Sequence, residues 1–129
     1  MIKAALVGLG WWGERLLAAA TPLRDSITFV HGVSPRPELR QGIAAKYGLR
    51  LSPSITDMLR DPNIDAVVLA TPHSLHAAQI TTLLAAGKPV LCEKPLVLTK
   101  ADAEKVVAAS VQSGQILAVA HNRRFLPAS

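Results

Sequence analysis

The sequence predicts an α/β fold, a doubly wound parallel sheet with helices on both faces. Two observations carry the prediction. Short apolar runs recur at residues 2–7 (IKAALV), 27–33, 65–70 (DAVVLA), 89–92 and 116–120, and runs of this length suit strands buried on both faces. Between them lie segments with apolar residues at helical spacing. Regular alternation of the two implies right-handed crossovers between parallel strands, and such a sheet takes its ligands beyond the carboxyl ends of the strands.

Taken in order, the first strand (2–7) leads into a helix carrying Leu16, Leu17 and Ala20 on one face. After the second strand, Leu39, Ile43 and Tyr47 share a helical face, with Pro37 suited to the first turn and Gly48 to the end. A weak third strand near Leu49 to Leu51 and a short helix near Ile55 to Leu59 complete the first half. The second half repeats the scheme, with helices on Ala77, Ile80, Leu83 and Leu84 and on Ala103, Val106, Val107 and Val111. Gly87 and Gly114 mark their ends, and Thr99 with Asp102 resembles a capping box opening the last one.

The first strand runs into Gly8-Leu9-Gly10-Trp11-Trp12-Gly13, a G-x-G-x-x-G that opens directly into a helix. In this context it is the fingerprint of a Rossmann-type dinucleotide site. The first glycine permits a tight turn, the second lets a pyrophosphate approach backbone N–H groups, and the third lets helix pack on strand. The anion then sits at a helix N-terminus. A glycine turn without a ligand is the competing reading, disfavoured by the strand before it and the helix after it. Trp11 and Trp12 stand where they would wall the cofactor or a neighbouring surface; large side chains at a helix start more often pack, and no chemistry is assigned to them.

About twenty residues beyond such a motif, an NAD-preferring site presents an acid to the adenosine ribose. Here the second strand ends at Ser34-Pro35-Arg36. A serine hydroxyl bonds a ribose hydroxyl or a phosphate, and an arginine pairs with a 2′-phosphate, so the cofactor is NADP or NAD with NADP slightly favoured. The alternative for Arg36 is a solvated loop residue.

The bulk properties agree with a single domain. The 129 residues are half hydrophobic and 18% charged, with scattered Gly and Pro, a composition that builds one core and not a disordered chain. No apolar run approaches the ~18 residues of a membrane helix, and the N-terminus has neither a basic region nor a cleavage site, so the expectation is a cytoplasmic protein without a membrane partner. The lone Cys92 has no partner for a disulfide and is too isolated for zinc, so no metal is expected. A net charge of +5 raises nucleic acid as a partner. The basic residues form no run and aromatics are few, which argues against it.

Further motifs narrow the assignment. Ala70-Thr71-Pro72-His73-Ser74-Leu75-His76 follows the fourth strand, Gly87-Lys88-Pro89-Val90-Leu91-Cys92-Glu93-Lys94-Pro95 spans the fifth, and Asn122-Arg123-Arg124-Phe125 follows the sixth. Together with the glycine motif these resemble the glucose-fructose oxidoreductase, inositol 2-dehydrogenase and MocA (Gfo/Idh/MocA) family over essentially the whole chain. The resemblance implies hydride transfer between a nicotinamide cofactor and a sugar, polyol or related hydroxyl substrate. It places Glu93 or Lys94 at the nicotinamide ribose, so that both count as cofactor-binding, and faces Lys94 toward the substrate, where an ammonium stabilises charge developing on oxygen; a desolvated lysine there would titrate nearer neutrality. It allows a cis peptide before Pro95, and it puts Thr71, Pro72, His73 and His76 in the loop lining the cofactor. Relatives commonly carry Asn at the position of His73, which puts that amide's contact in doubt, and both histidines also suit a helix-start surface. Asn122 and Arg124 fall on the loop approaching the nicotinamide; neither arginine of that motif is read as catalytic, and His121 is not promoted to a base.

The resemblance also implies a further C-terminal α/β domain that would supply substrate contacts and proton-handling residues. On this reading residues 1–121 form the NAD(P)-binding Rossmann domain and 122–129 begin the junction to an absent substrate domain. Lys94 alone would then have to manage proton transfer, and independent turnover is not expected. Three readings follow: the cofactor domain of a sugar or polyol dehydrogenase, a non-catalytic NAD(P)-sensing or partner-binding module, and a basic nucleic-acid-binding domain supported by charge alone. A surface otherwise covered by a second domain would favour a homo-oligomer.

Overall fold

A computed structural model describes residues 1–127, apart from the side chains of Arg123 and Phe125; the last two residues of the 122–129 segment lie outside it. The elements are β1 (Ile2–Val7), α1 (Trp11–Ala20), β2 (Ile27–Val33), α2 (Gln41–Tyr47), β3 (Arg50–Ser52), α3 (Ile55–Met58), β4 (Ala66–Leu69), α4 (His76–Ala85), β5 (Val90–Glu93), α5 (Lys100–Ser113) and β6 (Leu117–Ala120). All pairings are parallel and the strand order is β3-β2-β1-β4-β5-β6. The chain therefore winds outward twice from the centre. Connections leave β1 and β4 in opposite directions, which opens a crevice at their carboxyl ends.

Strand side chains alternate between two cores. Ala5 and Val7 of β1, Val67 and Leu69 of β4 and Val90 and Cys92 of β5 join Met58, Ile80, Leu83, Leu84 and Val106 on one face. Leu6 and Val68 join Leu17 of α1, Ala44 of α2, Leu9 and Leu49 on the other. At about 1.5–3 kcal/mol per fully buried aliphatic side chain, Ile80, Leu83 and Leu84 make α4 the most firmly attached helix. Burial pushes the Cys92 thiol up to about 12, with the neighbouring Glu93 carboxylate adding to the shift. Leu91, between the two inward residues of β5, stays 40% exposed on the side away from α4 and α5.

Two expectations need correction. Pro37 does not open the second helix. Leu39 N–H bonds the Arg36 carbonyl and Arg40 N–H the Pro37 carbonyl, closing a separate tight turn; Arg40 then leaves helical geometry (φ −116°, ψ 12°) before α2 begins. Leu39 is consequently 61% exposed instead of facing the core. On α5, Val106 is buried whereas Val107 and Val111 are 58% and 79% exposed. They lie about 100° and 140° round the helix from Val106, and α5 meets α4 along a narrow line completed by Ala109. The expected ends hold elsewhere: Thr99 Oγ1 accepts the Asp102 N–H at 3.1 Å, and Gly48 and Gly114 close α2 and α5 in left-handed conformations.

A buried polar strut joins β2 to the edge strand β3 and to the loop after α3. His31 on β2 sits 2.6 Å from Ser52 Oγ on β3 through Nε2 and 3.2 Å from Asp61 Oδ2 through Nδ1. The Ser-His-Asp order does not make a nucleophile, because Ser52 is 7% exposed. Asp61 also accepts the Asn63 N–H at 3.0 Å, and that bond first, then His31, holds its carboxyl below the usual 3.8. A carboxylate depressed by folding contributes stability above its unfolded value and loses it as pH falls through its folded one. Urea unfolding of the wild type should therefore show stability declining below about pH 4 more steeply than in Asp61→Asn; parallel pH profiles would remove Asp61 from the acid response.

Candidate functional site

The site begins where β1 ends. Gly8 turns at φ +100°, and a Cβ there would stand 2.4 Å from the Ala70 carbonyl oxygen, while a Cβ on Gly13 would stand 2.1 Å from the Gly8 carbonyl oxygen. Both glycines are demanded by main chain meeting main chain. Gly10 is different. Its backbone is ordinary extended chain (φ −75°, ψ −164°), and a Cβ on it would meet nothing within 4 Å. The fold thus has no use for glycine at position 10. No side chain caps α1, and the first intrahelical bond runs from Glu14 N–H to the Gly10 carbonyl at 3.0 Å, so the N–H groups of Trp11, Trp12 and Gly13 precede it and suit an anion.

From this turn a cleft of about 690 Å³ runs over the ends of β1, β2, β3 and β4, bounded by Gly8, Gly10, Ser34, Arg36, Thr71 and Pro72 among others. Ser34 is buried; its N–H bonds the Ser52 carbonyl at 3.1 Å and its Oγ accepts the Arg36 N–H at 3.2 Å. Arg36 Nε donates to Glu38 Oε1 at 2.6 Å, and this pairing holds the Glu38 carboxyl below its usual range. Both side chains of that pair are exposed. Arg40 lines the same cleft, and no carboxylate does.

Ala70 and Thr71 continue into a second hollow of about 400 Å³, shared with Trp12, His73, Glu93, Lys94 and Asn122. Lys94 and Asn122 extend into a third of about 280 Å³, with His121 and Arg124. The residues expected at the nicotinamide end are thus assembled from β4, β5 and β6. The Lys94–Pro95 peptide is cis. Lys94 is exposed.

Three of the expected cofactor positions also make contacts within the fold. Gly13 lies under the glycine turn as a packing residue. Trp11 is 72% exposed and lies beneath Arg15, whose guanidinium carbon is 4.8 Å from its ring centre; neither tryptophan packs into the core. His76 is fully buried, with Nε2 3.0 Å from the Thr71 carbonyl and Nδ1 3.0 Å from the carbonyls of Pro95 and Leu96. Both ring nitrogens lie within hydrogen-bond distance of these carbonyls, a neutral ring donating from one of them, and the buried ring ties the loops after β4 and β5 together. Thr71 is held from its side chain too, donating to Gln79 Oε1 at 2.6 Å.

Sequence reasoning missed Arg40, Pro53, Ser54, Thr56 and Gln79 of the larger cleft. Residues 53–56 follow the third strand, and the rule that ligands lie beyond strand ends would have found them.

The Gfo/Idh/MocA model, described as an oxidoreductase family with an NAD-binding Rossmann fold, matches residues 2–121. The chain belongs to this family. It is the family's NAD(P)-binding Rossmann domain. It is 37% identical over 127 residues to a 4-carboxy-2-hydroxymuconate-6-semialdehyde dehydrogenase from a Sphingobium species, covering 98% of this chain and 40% of the relative. It is 33% identical to the NADP(+)-dependent scyllo-inositol 2-dehydrogenase IolU of Bacillus subtilis, covering 98% and 39%. Among solved structures, the WlbA dehydrogenase of Bordetella pertussis in complex with NADH and UDP-GlcNAcA superposes with a TM-score of 0.89 at 35% identity, covering 96% of this chain and 38% of that one. The chain thus spans about two fifths of the length of these relatives. Among the described residues no helix is long and apolar enough to cross a membrane.

Two substitutions test the local assignments. Gly13→Ala should lower stability by at least about 2 kcal/mol, since a main-chain clash has no cheap relief, whereas Gly10→Ala should melt within a degree or two of wild type; equal losses in denaturant unfolding would contradict the division. His76→Ala removes a fully buried ring and the carbonyl hydrogen bond that its N–H makes, at a cost on the order of 2–4 kcal/mol. A loss below about 1 kcal/mol would show that the ring is not the tie between the loops.

Proposed function

We propose that this chain holds NAD(P) for hydride transfer to or from a hydroxyl-bearing carbon of a sugar, polyol or related substrate. The observation that carries the reading is Gly10: space and uncapped N–H groups stand together above a position where the fold does not require glycine. A pyrophosphate accounts for both. Two relatives, an NADP(+)-dependent inositol dehydrogenase and a dehydrogenase solved with NADH and a nucleotide sugar, support the cofactor and the substrate class.

Bound nicotinamide supplies the hydride chemistry; the chain's own residues bind and orient. Gly8 and Gly10 shape the pyrophosphate turn, Ser34 takes the adenosine ribose, and Thr71, Pro72 and Trp12 wall the middle of the trench. Glu93 accepts from the nicotinamide ribose hydroxyls. Lys94, in the hollow beside Glu93, donates to the substrate oxygen and stabilises the charge that develops there. His73, Asn122 and Arg124 complete the rim on the substrate side. NADP is favoured over NAD because the cleft beside Ser34 holds two arginines and no carboxylate. Residues 1–121 act as the cofactor domain and the segment from 122 as the start of a junction to a substrate-binding region; a cytoplasmic location belongs to the same reading.

Titration of the chain with NADH and with NADPH, followed by nicotinamide fluorescence, should show binding of both. Gly10→Val should weaken each at least tenfold, about 1.4 kcal/mol, without a matching loss of melting temperature. Binding of neither nucleotide by the wild type, or equal affinity in Gly10→Val, would overturn the reading.

A further inference from the structure

The hollow of about 280 Å³ beyond Lys94 has a one-sided charge. Lys94, His121, Asn122 and Arg124 line it, and no Asp or Glu does. Among the described residues, neither Lys94 nor Arg124 enters an ion pair. The carboxylate next in sequence, Glu93, lines the other hollow, with Trp12, Thr71 and His73. All four residues around the 280 Å³ hollow are exposed, so it is open to an incoming group. Two cations that share a hollow without a counter-charge raise its potential and favour an anion there.

The backbone brings the cluster together. β5 and β6 run parallel with Glu93 opposite Ala120, so Lys94 and His121 leave adjacent strands at the same level. His121 N–H bonds the Val119 carbonyl at 2.9 Å and Arg124 N–H the His121 carbonyl at 3.1 Å. These bonds close the turn that returns Arg124 to the hollow, and they use both N–H groups within it. An incoming anion is therefore met by side chains. A planar guanidinium takes the two oxygens of a carboxylate in parallel, with an amide and an ammonium beside it as further donors. Phosphate sites more often add converging backbone N–H groups, as the glycine turn of this chain does.

We infer that the substrate is an acid, a sugar acid or related hydroxy acid in place of a neutral polyol, whose carboxylate is held by Arg124 and Asn122. Lys94 borders both hollows and so stands between that carboxylate and the hydroxyl whose carbon exchanges hydride. The inference rests on the hydride-transfer reading above and deepens it by naming the substrate class. Arg124 is on this account a specificity residue, and it takes no part in the chemical step.

The test titrates the full chain, saturated with NADH, with two pairs of probes that differ in a carboxylate: D-glucuronate against D-glucose, and D-gluconate against D-glucitol. D-glucose 6-phosphate is the fifth probe. Dissociation constants come from amide NMR shifts at low ionic strength, where open charges are least screened. In at least one pair the acid should bind about tenfold or more tightly than its neutral partner, with the largest shifts at Lys94, Asn122 and Arg124. Arg124→Gln should reduce that ratio about fivefold or more, and Arg124→Lys, which keeps the charge and loses the planar fork, should fall between it and wild type. The assignment is overturned if acids and neutral partners bind alike, if the preference survives Arg124→Gln, if the phosphate ester binds more tightly than either acid, or if none of the five binds to the NADH-loaded chain. Failure of the underlying reading looks different, since NADH itself would then not bind.

Discussion

The structure depends on one close approach of main chain to main chain. β1 and β4 lie side by side at the centre of the sheet, and the turn leaving β1 passes so near the Ala70 carbonyl, and α1 so near the Gly8 carbonyl, that neither Gly8 nor Gly13 has room for a side chain. That approach lets α1 start directly over the crevice between oppositely wound halves. Its uncapped N-terminus then points into the same space that the loops of β2, β4 and β5 enclose. Without it the helix would stand off the sheet, and the cleft would lose its anion-binding end.

Around this centre the site divides by charge and by exposure. The larger cleft is apolar along its floor, with serine and arginine at its far end and no carboxylate in its lining. The smaller hollow brings an acid and a base, Glu93 and Lys94, to the end of β5. His76 joins the two regions mechanically, because its buried ring lies between the carbonyl of Thr71, which borders both, and those of Pro95 and Leu96 beyond Lys94. The trench is therefore a set of loops held in common, not independent segments that happen to be neighbours.

What was legible in the sequence was what a single element dictates by itself. The strand–turn–helix at Gly8 to Gly13 could be read because main-chain crowding leaves glycine as its only solution. The strands could be read because burial on both faces leaves unbroken apolar runs. What escaped depended on partners far apart in the chain or on how wide a contact turned out to be. His76 resembled a surface residue because the carbonyls around its ring come from other loops. The Arg36–Glu38 pair escaped because nothing in the order Ser-Pro-Arg tells that Glu38 will meet the guanidinium. Val107 and Val111 read as core because apolar spacing shows that a stripe exists and not how much of it a neighbouring helix covers.

Both tryptophans of the chain, Trp11 and Trp12, stand at the start of α1. Trp12 forms part of the wall shared with Glu93 and Lys94, and the two rings are 6.0 Å apart. The single tyrosine, Tyr47, belongs to α2 and borders a different hollow at the opposite end of the sheet. Tryptophan emission from this protein therefore originates at one place, beside the glycine turn, and the molecule carries a built-in optical reporter of the polarity and quenching environment at its own site.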